Sequence, residues 1–171
     1  MTGKGSGDMR TTFLALGAAA LAVGGYGAFA QDPGPNRAQD ITWMSKQQAY
    51  LSGLKAADGW HWREGGLRYR WLTYTGTGPQ PSVADTVSVH YEGRLIDGTV
   101  FDSSYDRGEP ATFPLGRLIK GWQVAIPEMR VGDAIEVAIP ADLAYGPVGK
   151  GPIPGGATLI FKVELMGIEG D

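Results

Sequence analysis

From Leu67 the chain alternates between apolar and polar positions with a period of two. Leu67, Tyr69, Trp71 and Thr73 fall on one face and Arg68, Arg70, Leu72 and Tyr74 on the other, which predicts a strand. A clearer strand follows the turn TGTGPQP: Val87, Val89 and Tyr91 share one face, and Thr86, Ser88, His90 and Glu92 share the other. Asp97-Gly98 suits a tight hairpin whose return begins at Val100-Phe101. Ile135, Val137 and Ile139 alternate with Ala134, Glu136 and Ala138, and Leu159, Phe161, Val163 and Leu165 with Ile160, Lys162 and Glu164. Strands of this kind want one buried and one wet face, as in an antiparallel sheet.

The period lengthens in ITWMSKQQAYLSGLKAA, where Trp43, Gln47, Tyr50, Leu51 and Leu54 make an imperfect amphipathic stripe. This predicts a short helix ended by Asp58-Gly59-Trp60. Within the strand-rich region LIKGWQVAI is the one helical candidate, and Pro127 limits its continuation. Several half-buried strands and one short helix predict an α+β fold, a sheet curled over the helix. There is no internal repeat.

The N-terminus carries a different signal. No charge falls between Arg10 and Asp32, and the run TFLALGAAALAVGGYGAFA closes on Ala28-Phe29-Ala30, an A-x-A cleavage pattern. Residues 1–30 are expected to be a secretory signal, 31–66 a polar linker followed by the short helix, and 67–171 the folded domain. The expected location is periplasmic or secreted. The alternative is an uncleaved membrane anchor, which needs about 20 apolar residues; the glycines at 17, 24, 25 and 27 and the A-x-A end favour cleavage.

Composition narrows the chemistry. Of 171 residues 43% are hydrophobic and 19% charged, enough for a buried core. The net charge of -3 argues against a nucleic-acid backbone binder. The absence of cysteine removes disulfides, thiolate zinc sites, catalytic thiols and cysteine lipidation. Only His61 and His90 are available for a histidine metal site or a Ser-His relay, so neither metal nor cofactor is expected. GPVGKGP at 146–152 lacks the spacing of a phosphate loop and reads as a surface flap. The run GWHWREGGLRYRW interleaves arginines with aromatics, but Tyr69 and Trp71 share one strand face and Arg68 and Arg70 the other, so a core strand is the better reading than a single-strand nucleic-acid platform. His90, on the polar face of its strand, reads as a solvated residue.

VFDSSYDRGE is the stretch most open to a chemical reading. A serine nucleophile at Ser103 or Ser104 needs a base in reach, and His90 lies on the opposite strand face from Tyr91. A glycosidase needs a carboxylate pair, and Arg107 stands between Asp106 and Glu109. A hydrolase is poorly supported. Aromatic and aliphatic residues beside turns (Tyr91, Phe101, Phe113, Leu118, Ile119, Trp122, Tyr145, Ile153 and Phe161) suggest either a concave apolar pocket or simply core.

VSVHYEGRLIDGTVFDSS, LIKGW, PADLAYG and IPGGATLIFKVELMGI, in that order and spacing, resemble the FKBP-type peptidyl-prolyl isomerases over roughly Leu67 to Ile168. The segment from Gly66 to Tyr91 resembles the secreted bacterial members of the macrophage infectivity potentiator type. The resemblance implies a half-open antiparallel sheet wrapped around a short helix, with a proline-binding cleft between them. It implies Trp122 as cleft floor, Tyr91, Phe101 and Phe161 as walls, and Phe113, Leu118 and Ile153 as further substrate contacts. Ile119 would offer a backbone N–H, Tyr145 a hydroxyl for the substrate carbonyl, and Asp102 would line the cleft with Arg107 and the Tyr91 hydroxyl as partners. The implied partners are proline-containing unfolded or nascent exported polypeptides, and macrolide ligands of immunophilins. A non-catalytic peptide-binding chaperone using the same cleft is the alternative. Ala111 stands where an aromatic is frequent, the turn before Leu118 and the flap after Tyr145 are shorter, and Lys150 replaces a common histidine. These departures bear on macrolide affinity and peptide preference rather than on the fold.

Overall fold

The computed structural model describes residues 37–170; the expected signal segment and the start of the linker lie outside them. In chain order come α1 (Ile41–Gly53), β1 (His61–Trp62), β2 (Arg68–Thr73), β3 (Thr86–Leu95), β4 (Val100–Ser103), α2 (Ser104–Arg107), β5 (Ala111–Pro114), α3 (Lys120–Ala125), β6 (Ala134–Ile139), β7 (Gly149–Lys150), β8 (Ile153–Pro154) and β9 (Leu159–Ile168). The main sheet is antiparallel throughout, in the order β1-β2-β6-β9-β3-β4, and β5 shares the outer edge of β3 with β4. β9, the last strand in the chain, therefore sits between β6 and β3.

The predicted alternation sets the inner face. Val87, Val89 and Tyr91 of β3, Ile135, Val137 and Ile139 of β6, and Leu159, Phe161, Val163 and Leu165 of β9 are buried in one apolar cluster with Ile119 and Trp122 beside and within α3. α3 lies so close to β6 that a methyl group at Gly121 would collide with Ile139. The fold is α+β, with the sheet wrapped around this short helix as the sequence predicted.

The outer face departs from expectation. Every residue of β6 is buried, including the positions predicted to be wet. α1 lies across that face: Leu51 and Trp60 form a second apolar cluster with Ala138 and Ile160, flanked by Tyr50, Leu54 and Ile96. Glu136, buried there, is paired with two arginines, Arg70 at 2.7 Å and Arg94 at 2.5 Å. The stripe on α1 is imperfect because one of its inward positions makes a polar contact. Gln47 is buried and accepts a 2.9 Å hydrogen bond from the Thr158 amide. The helix also ends earlier than predicted, at Gly53; residues 56–58 form a separate turn closed by Gly59 at φ 82°.

Three smaller differences follow from local chemistry. α2, a single turn not expected from the sequence, starts where the Ser103 hydroxyl accepts from the Asp106 amide at 3.3 Å. Residues 149–154 contain a small hairpin, β7 with β8, in the flap. In GWHWREGGLRYRW the cations do meet rings, across elements rather than along β2: Arg63 lies 5.0 Å over Tyr69 and Arg70 lies 5.1 Å over Trp60.

Candidate active site

Strict alternation would send Phe101 and Asp102 to opposite faces of β4. A bulge prevents this. Gly93 pairs with Asp102 and the next residue, Arg94, with Val100, so Phe101 is the inserted residue. Its ring comes down over Gly93, where a Cβ would stand 2.6 Å from Phe101 Cε2 and 2.6 Å from Phe161 Cε1. Only glycine leaves room for both rings. Consecutive residues of one strand thus bring an aromatic ring against Phe161 and a carboxylate to the Tyr91 hydroxyl.

The floor is Trp122, fully buried at the middle of α3. Tyr91 meets it edge-on at 5.4 Å and 84°, and Phe161 at 5.4 Å and 86°; Phe113 closes at 6.2 Å, and Phe101 meets Phe161 edge-on at 5.6 Å. Edge-to-face packing of this kind fixes ring orientation as well as burying area. The Trp122 indole N–H has no hydrogen-bond partner among the described residues. Ile119 caps α3 with extended backbone, φ −57° and ψ 150°, and its carbonyl accepts from the Trp122 and Gln123 amides at 3.0 and 3.3 Å.

The polar edge is a triangle. The Tyr91 hydroxyl donates to Asp102 Oδ2 at 2.5 Å, Arg107 donates to Asp102 Oδ1 at 2.6 Å, and a second Arg107 nitrogen donates to the Tyr91 oxygen at 3.0 Å. The guanidinium also lies 5.5 Å over the Tyr91 ring. The Asp102 side chain is 9% exposed, so both of its oxygens are engaged with little water in reach. Burial, then the hydrogen bond to Asp102, pushes the Tyr91 phenol well above the usual tyrosine range. Tyr145 is shifted the same way, first by burial and then by Asp102 and Tyr91. Both phenols are neutral donors at any physiological pH.

All nine residues of the apolar set come together in one cluster. Phe101, Phe113 and Tyr145 are partly exposed at its rim, and Tyr91, Leu118, Ile119, Trp122, Ile153 and Phe161 are buried beneath them. Leu118 keeps a place in the core despite the shortened turn before it.

The serines are structural. Ser103 caps α2. Ser104 is fully buried, and its hydroxyl accepts from the Tyr91 amide at 2.7 Å and donates to the Tyr91 carbonyl at 3.2 Å. His90 is not the solvated residue expected from its strand face: it is half-buried, 2.9 Å from Ser104 Oγ through Nδ1, and stacked on Tyr105 at 4.8 Å. A Ser-His contact therefore exists, but the hydroxyl is sealed and already holds the backbone of Tyr91. The sequence reading also passed over Gly93, whose signal was a glycine on the apolar face of an otherwise regular strand. Among the described residues no group of His, Cys, Asp and Glu could hold a metal ion.

The geometry can be set beside known proteins. The family described as FKBP-type peptidyl-prolyl cis-trans isomerase matches residues 78–166, just over half of the chain. The FKBP-type peptidyl-prolyl cis-trans isomerase FkpA of Aeromonas hydrophila is 48% identical over 126 residues, 74% of this chain and 47% of that protein. Outer membrane protein MIP of Legionella longbeachae is 47% identical over 127 residues, 73% of this chain and 54% of that protein. A 1.6 Å crystal structure of a peptidyl-prolyl cis-trans isomerase from Pseudomonas syringae superposes with TM-score 0.69 at 35% identity, covering 74% of this chain and 93% of that one. The chain spans about half the length of the curated relatives it matches. The matched residues run from the turn before β3 into β9 and so contain the whole aromatic floor, the Asp102 triangle and the flap; the chain belongs to the FKBP-type peptidyl-prolyl cis-trans isomerase family.

Proposed function

We propose that the chain catalyses cis-trans isomerisation of X-Pro peptide bonds, acting on proline-containing unfolded or nascent polypeptides outside the cytoplasm, with macrolides as competing ligands of the same cleft. One observation carries the reading: the neutral phenols of Tyr91 and Tyr145 pack with the apolar Trp122 floor, and the neighbouring Asp102 carboxylate is fully engaged. The barrier to rotating a peptide bond, about 18–20 kcal/mol, comes from C–N double-bond character, and X-Pro bonds exchange unaided in roughly tens to hundreds of seconds. Twisting the bond removes that resonance and makes the carbonyl less dependent on water. A cleft that strips water from the planar amide and fits the twisted one lowers the barrier by differential binding. In this role Trp122 seats the prolyl ring, and Tyr91, Phe101, Phe113, Leu118, Ile153 and Phe161 form or support the walls. Tyr145 donates to the carbonyl before the proline and the Ile119 amide to the one after it. Asp102, fixed by Arg107 and Tyr91, shapes and polarises one edge without moving a proton. No bond is made or broken, so the mechanism draws on no nucleophile. Residues 1–30 act as the export signal.

A protease-coupled assay with an X-Pro peptide tests this. The chain should accelerate the slow phase, Trp122→Ala should abolish the acceleration, and Asp102→Asn should cost far less than the ~10⁴-fold seen when a relay carboxylate is lost. A wild-type rate equal to the spontaneous one rejects the activity.

A further inference from the structure

α1 lies outside the residues that match the family, yet it is bonded to the flap that carries Tyr145. The flap begins at Tyr145 and returns through β7 and β8 to Gly155 and Gly156. Its two feet are tied by one hydrogen bond, from the Gly156 amide to the Gly146 carbonyl at 2.9 Å, and the Gly149 amide donates to the Tyr145 carbonyl at 3.2 Å. α1 grips the returning foot. The Trp43 indole N–H donates to the Gly155 carbonyl at 3.1 Å, and Gln47 accepts from the Thr158 amide at 2.9 Å. Gly156, at φ 75°, is the close approach: a Cβ there would stand 2.8 Å from Met44 Sδ. The Gly155–Gly156 peptide therefore takes a bond from α1 on its carbonyl and gives a bond to Gly146 from its amide. Gly146 is the neighbour of Tyr145.

We propose that Trp43 and Gln47 are positioning residues for the flap, so that α1, on the far face of the sheet, sets the placement of Tyr145 over the cleft. α1 acts through the backbone at 155–158 and touches no substrate. The flap's inner residue, Ile153, is buried in the main core, where Trp43 also packs, so the foot can pivot but the hairpin cannot lift away freely. Loss of the indole bond loosens the Gly146–Gly156 tie without opening the central sheet. The activity arm of the test rests on the isomerase reading; the exchange arm does not.

The experiment compares the full chain with Trp43→Phe, which keeps a ring and removes the N–H, and with Gln47→Met, which keeps length and removes the acceptor. Amide hydrogen exchange should accelerate roughly two- to tenfold at Gly149 and Gly156, the range for one net hydrogen bond, while amides in the middle of β6 and β9 stay as protected as in the wild type. Activity on an X-Pro peptide should fall by a similar factor, and Trp43→Phe should add little to Tyr145→Phe, because both act through the same hydroxyl. Exchange that rises equally in β6 and β9, unchanged exchange in the flap, or fully additive activity losses would overturn the proposal. Should the wild type show no isomerase activity, the exchange measurement still decides this inference, and only the activity reading fails.

Discussion

Replacing Gly93 with alanine tests the central packing argument of the cleft. The added methyl would stand 2.6 Å from Phe101 Cε2, 2.6 Å from Phe161 Cε1 and 2.7 Å from Phe101 Cζ. Ordinary carbon contacts lie near ~3.5–4.0 Å, so both rings must give way by about an ångström. Phe161, fully buried against Trp122 and Phe101, can shift only into space that Phe101 gives up. Phe101, half-buried at the rim on the bulge of β4, is the freer ring, and its displacement opens the space for Phe161. Overpacking of this size costs about 1–3 kcal/mol, partly offset by the ~0.5–1 kcal/mol that alanine gains over glycine in the unfolded chain. A net loss of about 1–2 kcal/mol should appear as a lower urea midpoint at unchanged slope. Isomerase activity should fall about tenfold or more, since each ~1.4 kcal/mol of lost transition-state binding is a factor of ten. The decisive comparison is the cycle with Phe101→Leu. Trimming that ring removes two of the three close contacts and frees space into which Phe161 can shift, so the double variant should be more stable than the sum of the single changes implies. Strict additivity would mean that the collision with Phe101 is not what excludes a side chain at position 93.

Two further outcomes follow from charge placement. Asp133 is buried, with Oδ1 accepting from the Thr75 amide and hydroxyl at 2.7 Å each and Oδ2 from the Arg130 amide at 2.8 Å. Burial alone would raise its carboxyl; the hydrogen bonds from Thr75 and Arg130 outweigh burial and hold it below the usual aspartate range. Its stabilisation is therefore complete above about pH 4 and is lost as pH falls through the depressed folded value. Asp133→Asn should cost about 1–3 kcal/mol at neutral pH, with the gap to wild type in urea unfolding narrowing in acid; a gap constant with pH refutes this. Because Tyr145 and Tyr91 stay protonated, kcat/KM should be flat from about pH 5 to 8. Tyr145→Phe should lower it about tenfold, the worth of one desolvated donor, without changing that flat profile; a bell-shaped curve would require a titrating group in the mechanism.

The period-two pattern carried the inner face of the sheet because burial on one side leaves one register for each strand; β6 and β9 follow it residue by residue, and β3 follows β9 from Val89 to Leu95 after a one-residue slip at Ser88. It misread the outer face of β6. Ala138 and Ile160 are small or apolar enough to suit either solvent or a covering helix, and only the docking of α1 decides between them. Tyr91, Trp122 and Tyr145 were nameable from their motifs, and the partners of Asp102, Arg107 and the Tyr91 hydroxyl, came from the family resemblance and not from alternation. The placement of Asp102 depends on a bulge, and a bulge inserts one residue without any mark that alternation can register. His90 was misplaced for a related reason: its partners, Ser104 and Tyr105, lie on the unpredicted turn α2, which brings them back over β3.

The position of β9 has a consequence for how the molecule comes into being. The strands that flank it, β3 and β6, have no hydrogen-bonded pairing with each other; each meets the rest of the sheet through a strand made after both. Without β9, the groups β1-β2-β6 and β3-β4-β5 share no strand pairing, and the aromatic floor lacks Phe161. Closure waits on contacts distant in sequence, which makes folding slow. Sheet closure and completion of the aromatic floor are therefore one event, because β9 supplies both the bridging strand and Phe161.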